Sequence, residues 1–312
     1  MNIVQRDFDS GLPVNVDATV LTVGTFDGMH RGHVDLLSHV VARAQQVGLP
    51  SLLVTFDPHP LEVVNPQAAP PLLTLHHEKL EVLAESGLDY LAVLPFTKAL
   101  STYDAETFVD RVLRARYQLR ELFIGHDHGF GRGRMGDKNV LVALGKDRGF
   151  EVTVLPPVEG TDGHPVSSTA IRRAVAGGDL ARAAEGLGRP YCISGRVVDG
   201  DKRGRLLGYP TLNLMPPPLR KLLPPDGVYA VRVQTPQGAF GGMANLGPRP
   251  TFGDNVRRIE AHVFDADHNW YDASVRLDFI SRIRETRTFA GIDALKEQLA
   301  HDEALARKLL QA

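Results

Sequence analysis

Two histidines and three glycines crowd the segment Gly24-Thr-Phe-Asp-Gly-Met-His-Arg-Gly-His33. Glycines at 24, 28 and 32 let backbone N–H groups come close to a ligand. The run opens a helix, whose N-terminus carries partial positive charge, so it reads as a phosphate cradle. His30 and His33, three apart around the first helical turn, can face one bound group together. Two imidazoles donating hydrogen bonds would stabilise charge growing on a phosphorus centre during in-line displacement. Two plainer accounts compete: surface polar groups, or an H-x-x-H metal pair, for which no further Cys or His stands nearby at metal-site spacing. The glycine context favours the cradle.

Three further segments in the first half carry chemistry. Ser167-Ser-Thr-Ala-Ile-Arg172 begins a helix, and its hydroxyls suit ordinary capping. Arg172, one turn inside, adds a guanidinium suited to a leaving pyrophosphate. Thr55-Phe-Asp-Pro-His-Pro60 places His59 at the carboxyl end of an apolar strand. Gly125-His-Asp-His-Gly-Phe-Gly-Arg-Gly-Arg-Met-Gly-Asp137 follows another strand. Its His126 and His128 allow a metal-binding reading, but the Gly- and Arg-rich composition favours a flexible ligand loop.

In the second half, Gly195 to Asn213 is a Gly-rich stretch ending in Pro210-Thr211-Leu212-Asn213. Thr211 and Asn213 point the same way on an extended chain. A hydroxyl and an amide oxygen are hard ligands appropriate to Mg²⁺ held jointly with phosphate oxygens. A β-turn running into a polar strand start is the competing account. Asn245-Leu-Gly-Pro-Arg-Pro-Thr-Phe252 reads as another Gly/Pro-rich loop. Glu260, between Ile259 and Ala261, lies on the opposite face from Ile259 in strict alternation, which suits either a solvent-facing or a site carboxylate.

The elements that must position these residues change character near Gly188. Before it, five apolar strand candidates (18–23, 52–56, 89–94, 121–125 and 151–155) alternate with helical segments. The first helix is expected to bury Val34, Leu37, Val40, Val41 and Ala44. Such β-α units imply a parallel sheet covered on both faces, with ligands at the strands' carboxyl ends. Two helices, 169–176 and 180–187, close this half. After it, strand candidates at 194–199, 228–233, 259–264 and 275–279 are separated by Gly/Pro-rich spacers, and one helix spans 289–310 with a stripe of Phe289, Ile292, Leu295 and Leu299. That pattern suggests a small antiparallel barrel. The expected domains are 1–188 and 189–312.

Composition sets the bounds. The chain has 312 residues, 35 Lys+Arg against 37 Asp+Glu, and 43% hydrophobic residues, as in globular proteins. The single cysteine, Cys192, excludes a disulfide framework and fits a reducing compartment. A net charge of −2 argues against duplex binding by broad phosphate neutralisation. No basic, aromatic-interleaved stripe marks an RNA reader. No apolar run approaches the ~20 residues of a membrane span, and the first ten residues lack a signal-peptide core. A cytoplasmic enzyme is expected.

An H-x-G-H after the first strand paired with S-S-T-x-I-R after the last resembles the nucleotidylyltransferase superfamily. T-F-D-P-H-P and G-x-D-x-x-F-G-R-G-R-x-G-D narrow the likeness to bacterial bifunctional riboflavin kinase/FAD synthetases. Asp226-Gly-Val-Tyr-Ala230 and Ile283-Arg-Glu-x-x-x-Phe289 extend it through the second half. The resemblance implies a Rossmann-like nucleotidylyltransferase domain and a riboflavin kinase barrel with a terminal helix. By it, Gly24, Phe26, His30, His33, Ser168, Thr169 and Arg172 would handle ATP for adenylyl transfer, with His30 and His33 catalytic. His59, Asp127 and Phe130 would hold the flavin. In the kinase, Gly208, Pro210, Thr211 and Asn213 would hold ATP and Mg²⁺, with Thr211 and Asn213 on the metal, and Glu260 would be the general base. Arg284 and Glu285 would lie near the flavin, a salt bridge from Arg284 to a neighbouring acid being the alternative. The implied partners are riboflavin, FMN, ATP and FAD, with no nucleic acid or membrane, and a transient homo-oligomer as one form of self-association left open. A chain with a silent kinase, and a flavin sensor without turnover, are the rival readings. The chain departs from the family's usual wording at His126, His128, Gly129, Lys202 and Asp272.

Overall fold

The structure is a computed structural model that describes residues 2–4, 11–200, 204, 207–248 and 257–311. Lys202 and the Arg249–Phe252 part of the second-half loop lie outside these residues. The chain divides into two compact units, Met1–Ser168 and Thr169–Ala312.

In the first unit six strands form one parallel sheet: β1 (Asn2–Val4), β2 (Thr19–Val23), β3 (Ser51–Asp57), β4 (Tyr90–Pro95), β5 (Leu119–Gly125) and β6 (Glu151–Leu155). Their order is β1-β4-β3-β2-β5-β6. Five of them occupy the expected segments. β1 is additional, and three residues are too few for a pattern to reveal. Successive residues bury into opposite layers. Leu21, Val23, Leu52, Val54, Ala92 and Leu94 join one core cluster, while Val20, Leu53, Leu91, Val93 and Phe123 join the other. Both faces are therefore covered, and the strands read as continuous apolar runs.

The helices of this unit are α1 (Arg31–Val47), α2 (Pro60–Val64), α3 (His76–Ala84), α4 (Lys98–Ser101), α5 (Ala105–Phe108), continued by a π-helical stretch over Val109–Arg114, and α6 (Lys138–Arg148). Helix α1 buries Leu36, Leu37, Val40 and Ala44 and stops at Gly48, left-handed at φ 67°, a glycine cap. Val34, expected in this stripe, is 48% exposed. At 3.6 residues per turn it lies roughly 100° round from the stripe's centre. The strand order reverses about β2, which has β3 on one side and β5 on the other. The loops after β2 and β5 therefore flank the crevice at a switch point, where such sheets bind ligands.

The second unit begins with α7 (Ser168–Gly177, its first residue being the last of unit one) and α8 (Leu180–Leu187). Helix α8 packs on β7 and β12 of the barrel, so the boundary between compact units falls ahead of the change in sequence character at Gly188. The barrel is closed, in the order β10-β11-β8-β7-β12-β9. Its strands are β7 (Tyr191–Val198), β8 (Leu212–Leu214), β9 (Gly227–Thr235), β10 (Gly238–Pro248), β11 (Arg257–Val263) and β12 (Ser274–Arg284), and α9 (Ile292–Gln311) follows.

Two barrel strands were not expected. β10 includes Asn245–Pro248, read from sequence as loop. Its glycines hid it, yet they are what lets it fit: a Cβ at Gly242 would sit 2.7 Å from the His262 carbonyl, and one at Gly241 3.1 Å from Leu310 Cδ1. The terminal helix starts at Ile292 rather than Phe289. Ile292 is 65% exposed, and the buried face runs through Asp302 and Ala306. Phe289, before the helix, instead lies near the Arg284 and Arg287 guanidinium groups.

Candidate active sites

The loop from Gly24 to His30 turns β2 into α1 through an unusual backbone. Phe26 (φ 49°), Gly28 (φ 82°) and Met29 (φ 43°) are all left-handed, and for the two non-glycine residues this costs about 1–3 kcal/mol each. Phe26 and Met29 are buried anchors. A Cβ at Gly24 would meet the Phe26 ring at 3.0 Å, so a side chain there would press on the ring that folds back under the loop. His30 is the N-cap of α1, at 7% exposure. Its ring stacks on His33 with centroids 3.6 Å apart, and Phe26 lies 4.7 Å beyond His33. The structure thus joins the two imidazoles as one stacked pair at the positive end of a seventeen-residue helix. Stacking, rather than convergence of ring nitrogens, is not the geometry of a metal chelate.

Asp27 is buried and accepts hydrogen bonds from the N–H groups of Leu73 and Thr74 and from the Thr74 hydroxyl. Its carbonyl accepts the Ser168 hydroxyl at 2.9 Å. Ser168 is therefore joined to the Gly24–His33 loop although 141 positions separate it from Asp27. Thr169 and Arg172 follow it within α7.

The other first-unit candidates divide. His59 caps the five-residue helix α2: its Nδ1 accepts from Leu61 N–H, and Glu62 accepts from its own N–H. The ring thus serves as the acceptor of this cap. Asp127 is 78% exposed, with His126 Nδ1 at 3.9 Å. Phe130 packs against the core, and its segment is closed by reciprocal bonds with Gly136. Asp137 caps α6. The 125–137 segment, expected as a flexible loop, is pinned at these points. Sequence reasoning missed the aromatic run that Phe130 completes. Phe96 meets Phe56 edge-on at 5.4 Å, Phe56 meets Phe108, Phe108 meets Phe130 at 5.1 Å, and His128 meets Phe130. These residues come from three strand ends and one helix, spaced too far apart in sequence to form a motif. The available signal was an aromatic residue at or just after the ends of β3, β4 and β5.

In the second unit, Asn213 on β8 pairs directly with Glu260 on β11, which pairs with Asn245 on β10. Directly opposed residues share a face, with Cβ atoms about 4.5–5.5 Å apart. Ile259 and Ala261 bury into the barrel, so Glu260 and Asn213 stand on its other face. Asn213 is 8% exposed. Gly200 lies flush against it, since a Cβ there would fall 2.0 Å from Asn213 Nδ2. Glu260 makes no hydrogen bond or ion pair among the described residues. Thr211 is exposed, just ahead of β8. Thr211 and Pro210 line a cavity of about 600 Å³, whose remaining wall includes the 266–271 connection between β11 and β12. Gly208 and Pro210 line an adjoining cavity of about 540 Å³ with Tyr209, His262, Glu303 and Arg307.

The corner of that connection is fixed from α9. Arg307 forks onto Asp265, binds Glu303 and lies 4.4 Å over the Phe264 ring. The Arg307 hydrogen bond holds the Asp265 carboxyl below its ordinary value. Burial, and then the Glu303 carboxylate, push the Tyr209 hydroxyl up, and His262 Nδ1 lies 2.8 Å from the Pro210 carbonyl. Asp272 is left-handed at φ 65° and pairs with Arg196 at 2.9 Å. Aspartate is among the few side chains that tolerate this conformation. Arg284 forks onto the fully buried Asp302 at 2.7–3.0 Å, the salt bridge held open as an alternative, while Glu285 is 84% exposed.

Among the described residues no helix is long and apolar enough to cross a membrane. Residues 13–170 match the family model for FAD synthetase, and residues 187–310 that for riboflavin kinase. The chain is 39% identical over 294 residues to the bifunctional riboflavin kinase/FMN adenylyltransferase of Escherichia coli, covering 94% of this chain and 93% of that one. It is 39% identical over 291 residues to the protein of the same description from Pseudomonas fluorescens, covering 93% and 92%. A crystal structure described as a macrolide-efflux protein from Streptococcus pneumoniae matches with a TM-score of 0.84 at 30% identity, covering 98% of both chains. With both halves matched and relatives aligned over nearly its whole length, the chain belongs to the bifunctional riboflavin kinase/FMN adenylyltransferase family.

Proposed function

We propose that this enzyme phosphorylates riboflavin to FMN at the Asn213–Glu260 face of the barrel, and adenylylates FMN to FAD at the His30–His33 end of α1. The kinase is assigned to residues 189–312 and the adenylyltransferase to residues 1–188. The observation that carries the reading is the segregation of the two sets. The carboxylate paired across strands with the buried amide of the P-T-x-N segment lies in the riboflavin kinase match, and the stacked histidines lie in the FAD synthetase match.

In the kinase, Glu260 accepts the proton of the riboflavin 5′-hydroxyl, and that oxygen attacks the γ-phosphorus of ATP, releasing ADP. A carboxylate without a competing partner among the described residues suits a base. The Thr211 hydroxyl and the Asn213 amide oxygen are hard donors that fit Mg²⁺, which when bound with ATP shields polyphosphate charge. Catalysis is then mainly positioning and charge neutralisation. In the adenylyltransferase, a phosphate oxygen of FMN attacks the α-phosphorus of ATP and pyrophosphate leaves, with no covalent enzyme intermediate. His30 and His33 donate hydrogen bonds to the phosphates, aided by the α1 dipole. Ser168, Thr169 and Arg172 receive the departing pyrophosphate. Phe130 and its aromatic neighbours offer the flavin a stacking surface beside Asp127. Its substrates and products are small molecules, and the lone Cys192 suits the reducing cytoplasm.

Purified protein incubated with riboflavin, ATP and Mg²⁺ should yield FMN and then FAD by chromatography, and EDTA should stop both steps. FAD from added FMN with no product from riboflavin would remove the kinase half of the reading.

A further inference from the structure

We propose that Thr74 is a positioning residue for adenylyl transfer, acting through the loop that carries His30 and His33; this rests on reading that loop as the adenylyl-transfer site. Thr74 belongs to no motif visible in the sequence. It lies just before α3, at 5% exposure.

The backbone leading to His30 is left-handed at Phe26, Gly28 and Met29, and such a path persists only where its surroundings over-determine it. Thr74 supplies that constraint. Its hydroxyl accepts from Gly28 N–H at 3.0 Å and donates to Asp27 Oδ1 at 3.1 Å. Its own N–H donates to the same Oδ1, and Leu73 N–H donates to Oδ2, both at 3.0 Å. One hydroxyl therefore bridges two successive residues of the strained turn, and through Asp27 the network continues to the Ser168 hydroxyl. The supporting segment is itself fixed. Glu78 caps Leu75 N–H at 2.8 Å, and Lys79 Nζ donates to the Thr25 carbonyl at 2.7 Å. Losing the Thr74 oxygen would leave shape intact but release the turn that sets where the stacked imidazoles stand.

The test uses the full chain with Thr74→Val, which keeps the volume and removes the hydroxyl, and Thr74→Ser, which restores it. Misplacing a catalytic group by about 1 Å costs on the order of 10²-fold in rate, so Thr74→Val should lower kcat for FAD formation from FMN by that order. The KM for ATP should change far less. Thr74→Ser should retain most of the rate, and riboflavin phosphorylation by the same molecules should be unaffected. Asp27→Asn, which replaces one of the two accepting oxygens by a donor facing an N–H group, should likewise lower FAD formation and serves if Thr74→Val does not fold. Full FAD formation by Thr74→Val, equal loss in Val and Ser variants, or a lowered Tm with unchanged kcat would each overturn the inference. His33→Ala separates the premise: if it retains FAD formation, the site itself is misassigned, and if it alone loses activity, only the role of Thr74 fails.

Discussion

Asn213 and Glu260 stand directly opposite one another on neighbouring antiparallel strands β8 and β11. Forty-seven positions apart in the chain, the amide and the carboxylate share one face outside the barrel core. Glu260→Gln keeps the size and hydrogen-bonding shape but cannot accept the riboflavin proton. General-base loss typically costs 10²–10⁴-fold, so FMN formation should fall by about that range, while FAD formation from added FMN proceeds normally. Equal loss of both activities would show that the two sites are not separate.

Gly200 lies so close to Asn213 that an added methyl must push the amide aside. Because the obstacle is the end of a side chain, Gly200→Ala should fold with little loss of Tm. Its kinase should nevertheless need more Mg²⁺ for half-maximal rate, because Asn213 no longer points where Thr211 does. An unchanged Mg²⁺ titration would remove Asn213 from the metal site.

Arg307 ties the Asp265 corner of the β11–β12 connection to α9. Arg307→Ala should raise the kinase KM for ATP with a smaller effect on kcat, since it frees one wall of the cavity rather than a reacting group. The folded Asp265 carboxyl is depressed by Arg307. Its stabilising contribution is thus fully present above the unfolded value, near 4, and is lost as pH falls through the lower folded value. The KM difference between wild type and variant should therefore be flat from neutral to alkaline pH, as initial-rate measurements at several pH values would show.

Removing Asp302 leaves Arg284 in a largely covered position without its counter-ion. Asp302→Ala should destabilise the barrel by roughly 3 kcal/mol, the low end for breaking a buried pair because Arg284 keeps some solvent contact. Urea unfolding followed by Trp270 fluorescence reads this directly, since Trp270 is the chain's one tryptophan and is buried in that unit.

Tyr117 is fully buried among the first unit's core residues, and burial pushes its hydroxyl up to about 12. A folded value above the unfolded one near 10 means stability is intact below pH 10 and declines as pH rises toward 12. Chemical unfolding at pH 8 and pH 11 should show the loss, and Tyr117→Phe should reduce that pH dependence.

Local chemistry was written in the chain itself. The buried strands announced themselves as apolar runs because the sheet is covered on both sides, and the Gly24–His33 and Pro210–Asn213 segments announced their chemistry because their residues are neighbours in sequence. Periodicity failed where glycine replaced side chains, as in β10, and where an element was three residues long, as in β1 and β8. The apolar stripe of α9 holds at Leu299, which packs against the barrel cluster, but fails at Ile292, and it could not show that Asp302, a buried charge, lies on the packed face. Tertiary structure alone decided the rest. It set Glu260 opposite Asn213, gave His59 to a helix cap and Arg284 to Asp302, and assembled an aromatic run from the ends of β3, β4 and β5. It also brought Thr74 and Ser168 to Asp27. Each of these depends on strand register or on a buried hydrogen bond between distant positions, and neither leaves a periodic trace in a single sequence.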